Sequence, residues 1–271
     1  MHEPTPPSAP HPGLQRWLAI DTSTERLSVA VGAAGAAEPL AAHDGPGGAQ
    51  ASAVLLPTID ALLRRVGWRL AELDGIVFGQ GPGSFTGLRT ACAVVQGLAV
   101  AARPGGVPVL PLSTLLAVAE DARHRAAPNA AALDVVAALD ARMDEIYTAS
   151  YRWRAGQGWQ VRSPARLVSP AQLPVHAAST PMHSDDGAAL PTLLAGNVMP
   201  VYGERLPAGW RASEAVLAWP HAAALLRLAA AGIEAGQCTA AAGAQPLYVR
   251  DKVALTVDEQ AALRAQRTPN P

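Results

Sequence analysis

Trp17-Leu18-Ala19-Ile20-Asp21-Thr22-Ser23-Thr24-Glu25-Arg26-Leu27-Ser28-Val29-Ala30-Val31 places two short β-forming runs, 17–20 and 27–31, on either side of a hydroxyl-rich turn. Apolar and β-branched residues bounded by Asp, Thr and Ser predict a hairpin whose turn opens on Asp21. A second unit of the same kind follows at 135–140 and 146–151. Laid over the first without gaps, it puts Asp140 on Asp21, an offset of 140 minus 21, or 119. Ile146 then falls on Leu27 and Ala149 on Ala30. A looser echo sets Leu193-Leu194-Ala195-Gly196-Asn197 against Val77-Phe78-Gly79-Gln80, an apolar strand entering a glycine turn in both halves. Two halves that each begin with an aspartate-bearing hairpin predict a duplicated α/β unit.

That ground plan is similar to the actin, hexokinase and Hsp70 superfamily, and it implies a two-lobed actin-like fold (ASKHA, ribonuclease H-like) with mixed sheets and flanking helices. From Ser52 onward, Leu55, Leu56, Ile59, Leu62, Leu63 and Val66 recur at helical spacing, so an amphipathic helix ends near Gly67. A buried strand over 75–78 runs into a glycine turn, and Ser84 caps a second helix reaching Ala102. A brief strand at 108–111 is followed by a helix capped by Ser113-Thr114 and running to about Arg125. Four prolines over 155–186 predict irregular connections, and 221–235 returns to helix. The expected division is an arm at 1–13, a first lobe at 14–110 on which a C-terminal helix can pack back, a second lobe at 111–245 and a tail at 246–271.

Hydrophobic residues make up 49% of the chain and charged ones 16%, which excludes disorder throughout and predicts extensive buried or partner-covered surface. A formal net charge of -1 supplies no global positive field, so any RNA would be gripped by another subunit. Cys92 and Cys238 form no CxxC pair, and Cys92 lies in an apolar stretch, so reduced buried thiols and a cytoplasmic location are expected. Residues 1–13 are proline-rich without a basic start or an apolar run, which reads as a disordered arm and not a signal peptide. No uninterrupted run has membrane-spanning length.

The block Gly79-Gln80-Gly81-Pro82-Gly83-Ser84-Phe85-Thr86-Gly87-Leu88-Arg89 admits two readings, a tight structural turn or an anion cradle at a helix start. It lacks the GK[ST] of a P-loop, and Ser84 stands at the third glycine of a dinucleotide fingerprint. Between Thr90 and Ala102 only Thr90 and Gln96 are polar, so the helix has no face suited to water. Phe85, Leu88, Cys92, Val95 and Ala99 form one stripe; Gly87, Thr90, Ala91, Val94, Gly97 and Ala101 form another of mainly small residues, which permits close approach of a second helix. Burial within its own lobe and contact with a partner both fit that pattern.

Catalytic signatures are sparse. His43, His124, His176, His183 and His221 show no HxxxH spacing for a metal. Ser84, Thr86 and Ser113 have no neighbouring activating motif and read as caps. Trp153, Trp159, Trp210 and Trp219 are not interleaved with basic runs, and Arg250 and Lys252 read as a solvated face. Asp21 and Asp140 sit where actin-like kinases place carboxylates, which makes an ATP-dependent acyl or sugar kinase the enzymatic alternative; each aspartate can equally hydrogen-bond its own turn.

Five segments together resemble the TsaB (YeaZ) family. They are 19–24, the glycine block 79–89, Pro111-Leu112-Ser113-Thr114-Leu115, Leu139-Asp140-Ala141-Arg142-Met143-Asp144-Glu145-Ile146-Tyr147, and Pro246-Leu247-Tyr248-Val249-Arg250. The resemblance implies a non-catalytic subunit of the machinery that forms N6-threonylcarbamoyladenosine at position 37 of ANN-decoding tRNAs. Its implied partners are a TsaD-like catalytic subunit, a TsaE-like ATPase, a second copy of itself when the catalytic subunit is absent, and tRNA only through the complex, with no membrane. A docking surface on the first two helices is implied at Leu55, Ile59, Leu62, Ser84, Phe85, Gly87, Leu88, Ala91, Val94, Val95, Gly97, Leu98 and Ala101. No metal and no required cofactor are implied. ATP or ADP at a shared interface would meet Asp21, Thr22, Gly81, Gly83 and Ser84. An M22-type metallopeptidase, an old label for related proteins, fits least. Where the family often carries histidine before serine in a His-Ser-x-x-Leu-Leu-Pro pattern, this chain has Ala51.

Overall fold

The computed structural model describes residues 15–175, 190–210 and 214–250. The expectations for residues 1–13, for 176–186, for His176 and His183 and for Lys252 therefore lie outside the described residues.

The opening run forms β1 (Trp17–Asp21) and β2 (Arg26–Gly32), antiparallel with Asp21 opposite Ser28, and β3 (Ala41–Pro46) pairs antiparallel on the outer side of β2. Helix α1 (Ala51–Arg65) leaves through Gly67, whose φ of 71° is one that an L side chain resists. Strand β4 (Gly75–Gly81) lies parallel to β1, and helix α2 (Phe85–Ala102) returns the chain to β5 (Val109–Ser113), parallel to β4. The first sheet thus has the order β3-β2-β1-β4-β5.

The pattern then repeats. Helix α3 (Thr114–Ala126) leads into β6 (Ala132–Asp140), β7 (Ile146–Arg154) and β8 (Gly158–Val168), a three-strand antiparallel run. Strand β9 (Thr192–Gly196) is parallel to β6, helix α4 (Val198–Tyr202) follows, and β10 (Ala215–Leu217) is parallel to β9. The second sheet, β10-β9-β6-β7-β8, is the first one traced again. Two mixed sheets flanked by helices form the two-lobed actin-like fold.

Three expectations change. The first sheet extends to Ser113, beyond the boundary at 110. Residues 158–168 form a strand where irregular chain was expected, because Gly156 and Gly158, both at φ 78°, turn the chain back on β7 and Pro164 is tolerated on an edge strand. The gapless overlay also slips at the turn. Asp140 faces Ile146, whereas Asp21 faces Ser28, so the second hairpin is one residue shorter and Thr148, not Ala149, is the structural counterpart of Ala30.

The helices are exchanged between the repeats. Helix α3 covers β6, β7 and β9, while α5 (Ala222–Glu234) packs across β1, β2, β4 and β5. A core of Trp17, Ala30, Leu110, Leu225 and Leu228 seals that second face. Between α3 and α5, Glu120 is 2% exposed yet fully paired: it accepts from Arg123 at 2.8 Å, Arg227 at 2.9 Å and Trp159 Nε1 at 3.0 Å. Burial alone would push its carboxyl up, but these donors outweigh that and hold it below the usual range.

Candidate functional site

The glycine block is a packing joint. A Cβ on Gly79 would stand 1.8 Å from Asp21 Oδ2, and one on Gly87 would stand 1.9 Å from the Thr22 carbonyl oxygen. Gly83 is pressed on Ser23, and Gly81 on the Leu247 carbonyl oxygen. Thr22 Oγ1 donates to the Gly87 carbonyl at 2.7 Å, and Ser84 N donates to the Ser23 carbonyl at 2.6 Å. Side chains are missing because the first turn of α2 rests directly on the Asp21 hairpin. Ser84 caps α2 from its own side chain, accepting from Gly87 N at 3.4 Å.

Asp21 is sealed beneath this joint at 1% exposure. Its Oδ1 accepts from Ser23 N at 2.8 Å and Ser23 Oγ at 2.6 Å, while Oδ2 has no partner. Burial pushes its pKa up to about 7 despite the Ser23 bonds and the charge of His221. Thr114 Oγ1, also buried and unpartnered, belongs to the same polar pocket around Gly79. Asp140 is engaged by its own turn: Oδ1 accepts from Arg142 N at 2.9 Å and from Tyr202 Oη at 2.7 Å. Asp21 is thus enclosed beneath Gly79, whereas Asp140 stands on the wall of the cleft with Oδ1 occupied.

Helix α2 buries Leu88, Ala91, Cys92, Val95 and Ala99 against its own sheet and α1. Its other side stays open at Ala93, Gly97, Val100 and Ala101, with Val94 and Leu98 half-buried at the margins and Val100 67% exposed. No charge occurs between Arg89 and Arg103. Beside it, α1 exposes Val54 and Leu56. Around a Cβ built on Gly97 nothing lies within 4 Å. A helix-interior glycine costs about 1 kcal/mol relative to alanine, and nothing in this lobe requires it. By length and composition α2 could cross a membrane, yet its buried stripe is built into the first core.

Between the lobes a cleft of about 360 Å³ is lined by Ser23, Ser84, Asp140 and Asn197, with Tyr248 and Arg250 of the C-terminal segment also on its wall. The turn at its mouth holds Arg142, Met143 and Asp144 at φ of 63°, 56° and 58°. Three consecutive left-handed residues with side chains cost on the order of 1 kcal/mol each. Arg250 braces this turn, pairing with Glu145 and donating to the Ala141 carbonyl oxygen at 3.0 Å. Its side chain is 14% exposed, which corrects the solvated-face reading.

The chain is 31% identical over 239 residues to the tRNA threonylcarbamoyladenosine biosynthesis protein TsaB of Escherichia coli (strain K12), covering 88% of this chain and 96% of that one. The chain belongs to the TsaB (YeaZ) family. A TsaB of Haemophilus influenzae is 36% identical over 173 residues, 57% of this chain and 67% of that one. Among solved structures, YeaZ from Pseudomonas aeruginosa superposes with a TM-score of 0.71 at 34% identity, over 86% of this chain and 99% of the other. Residues 46–255 also match the family described as TsaD, tRNA N6-adenosine threonylcarbamoyltransferase.

The docking residues implied by TsaB resemblance divide in two. Leu55, Ile59, Leu62, Gly87, Leu88, Ala91 and Val95 face inward and are spent on the lobe's own core. Val94, Gly97, Leu98 and Ala101 are exposed or half-exposed on the outer side of α2, whereas Ser84 at its N-cap and Phe85, stacked on Tyr248, are exposed at the cleft. Sequence spacing could not separate the two groups, because both are small or apolar. Of the residues expected to meet nucleotide, Asp21, Thr22 and Gly81 are buried, and Gly83 and Ser84 line the cleft. Ala51, standing where the family often has histidine, is 1% exposed. Among the described residues, no group of three or more His, Cys, Asp or Glu converges to hold a metal. Leu56, expected on the apolar face of α1, is 50% exposed, and Val54 and Val100 are exposed as well. At 3.6 residues per turn, Val54 and Leu56 fall on either side of the buried Leu55, and Val100 falls beside the buried Ala99, each about 100° round its helix.

Proposed function

We propose that the chain is a non-catalytic scaffold subunit in the formation of threonylcarbamoyladenosine at position 37 of ANN-decoding tRNAs. It docks a TsaD-like catalytic subunit, which presents the adenosine and the acyl donor, and it serves a complex that includes a TsaE-like ATPase. The observation that carries this reading is the uncharged outer flank of α2, centred on an unobstructed Gly97. Small residues at Ala93, Gly97 and Ala101 recur every fourth position and let another helix approach to near backbone contact. The hydrogen bonds holding Asp21 and Asp140 in their own turns support a supporting role for the cleft. When the catalytic subunit is absent, a second copy of this chain covers the same flank.

The test is co-purification of the full chain with its TsaD-like partner, comparing wild type with Gly97→Arg. The wild type co-elutes and the variant does not, although its circular dichroism matches the wild type and its melting temperature is no lower. Continued co-elution of Gly97→Arg would place the docking surface elsewhere.

A further inference from the structure

The segment 244–250 crosses from one lobe to the other. On the first lobe, Gln96 Nε2 of α2 donates to the Ala244 carbonyl oxygen at 2.9 Å, and Leu247 N donates to the Gln80 carbonyl oxygen at 2.7 Å. Tyr248 stacks on Phe85 with ring centroids 5.1 Å apart, and its hydroxyl accepts from Arg89 Nε at 3.0 Å. Val249 then joins the core of the second lobe, and Arg250 grips Glu145 and the Ala141 carbonyl oxygen. Within a few residues the chain is fastened to both walls of the cleft.

The far anchor is the strained one. Arg142, Met143 and Asp144 are the positive-φ residues with side chains among those described. Left-handed backbone persists at such residues when surrounding groups hold it there. Here the holding groups are Asp140, which accepts from Arg142 N; Arg205, 3.0 Å from Asp144 Oδ1; and Arg250, from the crossing segment. Arg250 is the member that arrives from outside the second sheet's own turns.

We propose that residues 244–250 form a latch between the lobes: fastened at Arg89 and Arg250, they hold the turn 142–144 in its left-handed form and tie the two walls of the cleft together, and release at either end lets both relax. Three of its contacts, Phe85, Arg89 and Gln96, lie on α2, so occupation of the outer flank of that helix is coupled to the cleft. That coupling rests on the docking reading above, whereas the latch itself does not, and it is tested on the isolated chain.

The experiment is hydrogen exchange followed by mass spectrometry on the full-length protein, with Arg250→Met and Arg89→Ala beside the wild type. Arg250→Met removes the charged grip and keeps the apolar stem. Arg89→Ala removes the donor to Tyr248 Oη and so loosens the opposite end without touching the strained turn. Both variants raise exchange across 141–147 on the order of tenfold, the loss of a charge-assisted hydrogen bond, while amides of β1 and β4 keep wild-type rates. Should Arg250→Met fold poorly, Glu145→Gln gives the same reading. Wild-type exchange at 141–147 in Arg89→Ala would overturn the latch, as would a uniform rise through both lobes in either variant.

Discussion

Replacing Asp21 by asparagine should make the protein more stable at alkaline pH and remove part of its pH dependence. The folded chain holds the Asp21 proton up to about pH 7, because the carboxyl is 1% exposed and one oxygen has no donor. In the unfolded chain the same group ionises near its ordinary 3.8. A folded-state value above the unfolded one means that the stabilisation is complete below about pH 4 and is lost as pH rises toward 7. Roughly three pH units at about 1.4 kcal/mol each give a total of about 4 kcal/mol, of which rather more than half falls between pH 5 and pH 8. Asparagine stays neutral, keeps an oxygen for Ser23 and offers an amide to the pocket shared with Thr114. The assay is urea unfolding of both proteins at pH 5 and pH 8, with the difference between them as the readout, since other titrating groups act on both alike. Asp21→Asn should gain on the order of 2 to 3 kcal/mol on the wild type over that interval. An unchanged difference would show that Asp21 is ionised and solvated, and the sealed joint described above would be wrong.

Gly87→Ala should lose about 3 kcal/mol or more in chemical denaturation, because the new methyl meets the Thr22 carbonyl oxygen, backbone against backbone, and α2 must back away from the hairpin. Gly97→Ala should do the opposite in the isolated chain, raising stability by about 1 kcal/mol by the same assay, since its methyl enters open space. The same substitution should weaken binding of the TsaD-like partner in a titration; undiminished affinity would remove close helix approach from the docking argument.

The doubling of the fold was legible because each repeat opens on a hairpin whose first apolar run ends at an aspartate, Asp21 in one and Asp140 in the other. The helix caps at Ser84 and Ser113 were legible for an equally local reason, a hydroxyl accepting from an amide three residues on. The one-residue slip at the second hairpin was not, because Arg142, Met143 and Asp144 adopt a conformation that glycine or asparagine would have advertised. Strand β8 was masked by proline, which an edge position forgives. In the candidate site, the glycines announced close approach without saying to what. That Gly79 and Gly87 meet the Asp21 hairpin is a contact across 58 and 65 residues, and only tertiary structure supplies it. Arg250 misled for the same reason: its partners, Ala141 and Glu145, lie more than a hundred residues upstream.

Because α5 roofs the sheet made by the opening third of the chain, the two repeats are interlocked and not strung in series. A fragment ending after β5 would leave Trp17, Ala30 and Leu110 facing water on the side α5 now covers. The folding unit therefore spans both repeats: the first hairpin stays unfinished until α5 has been synthesised.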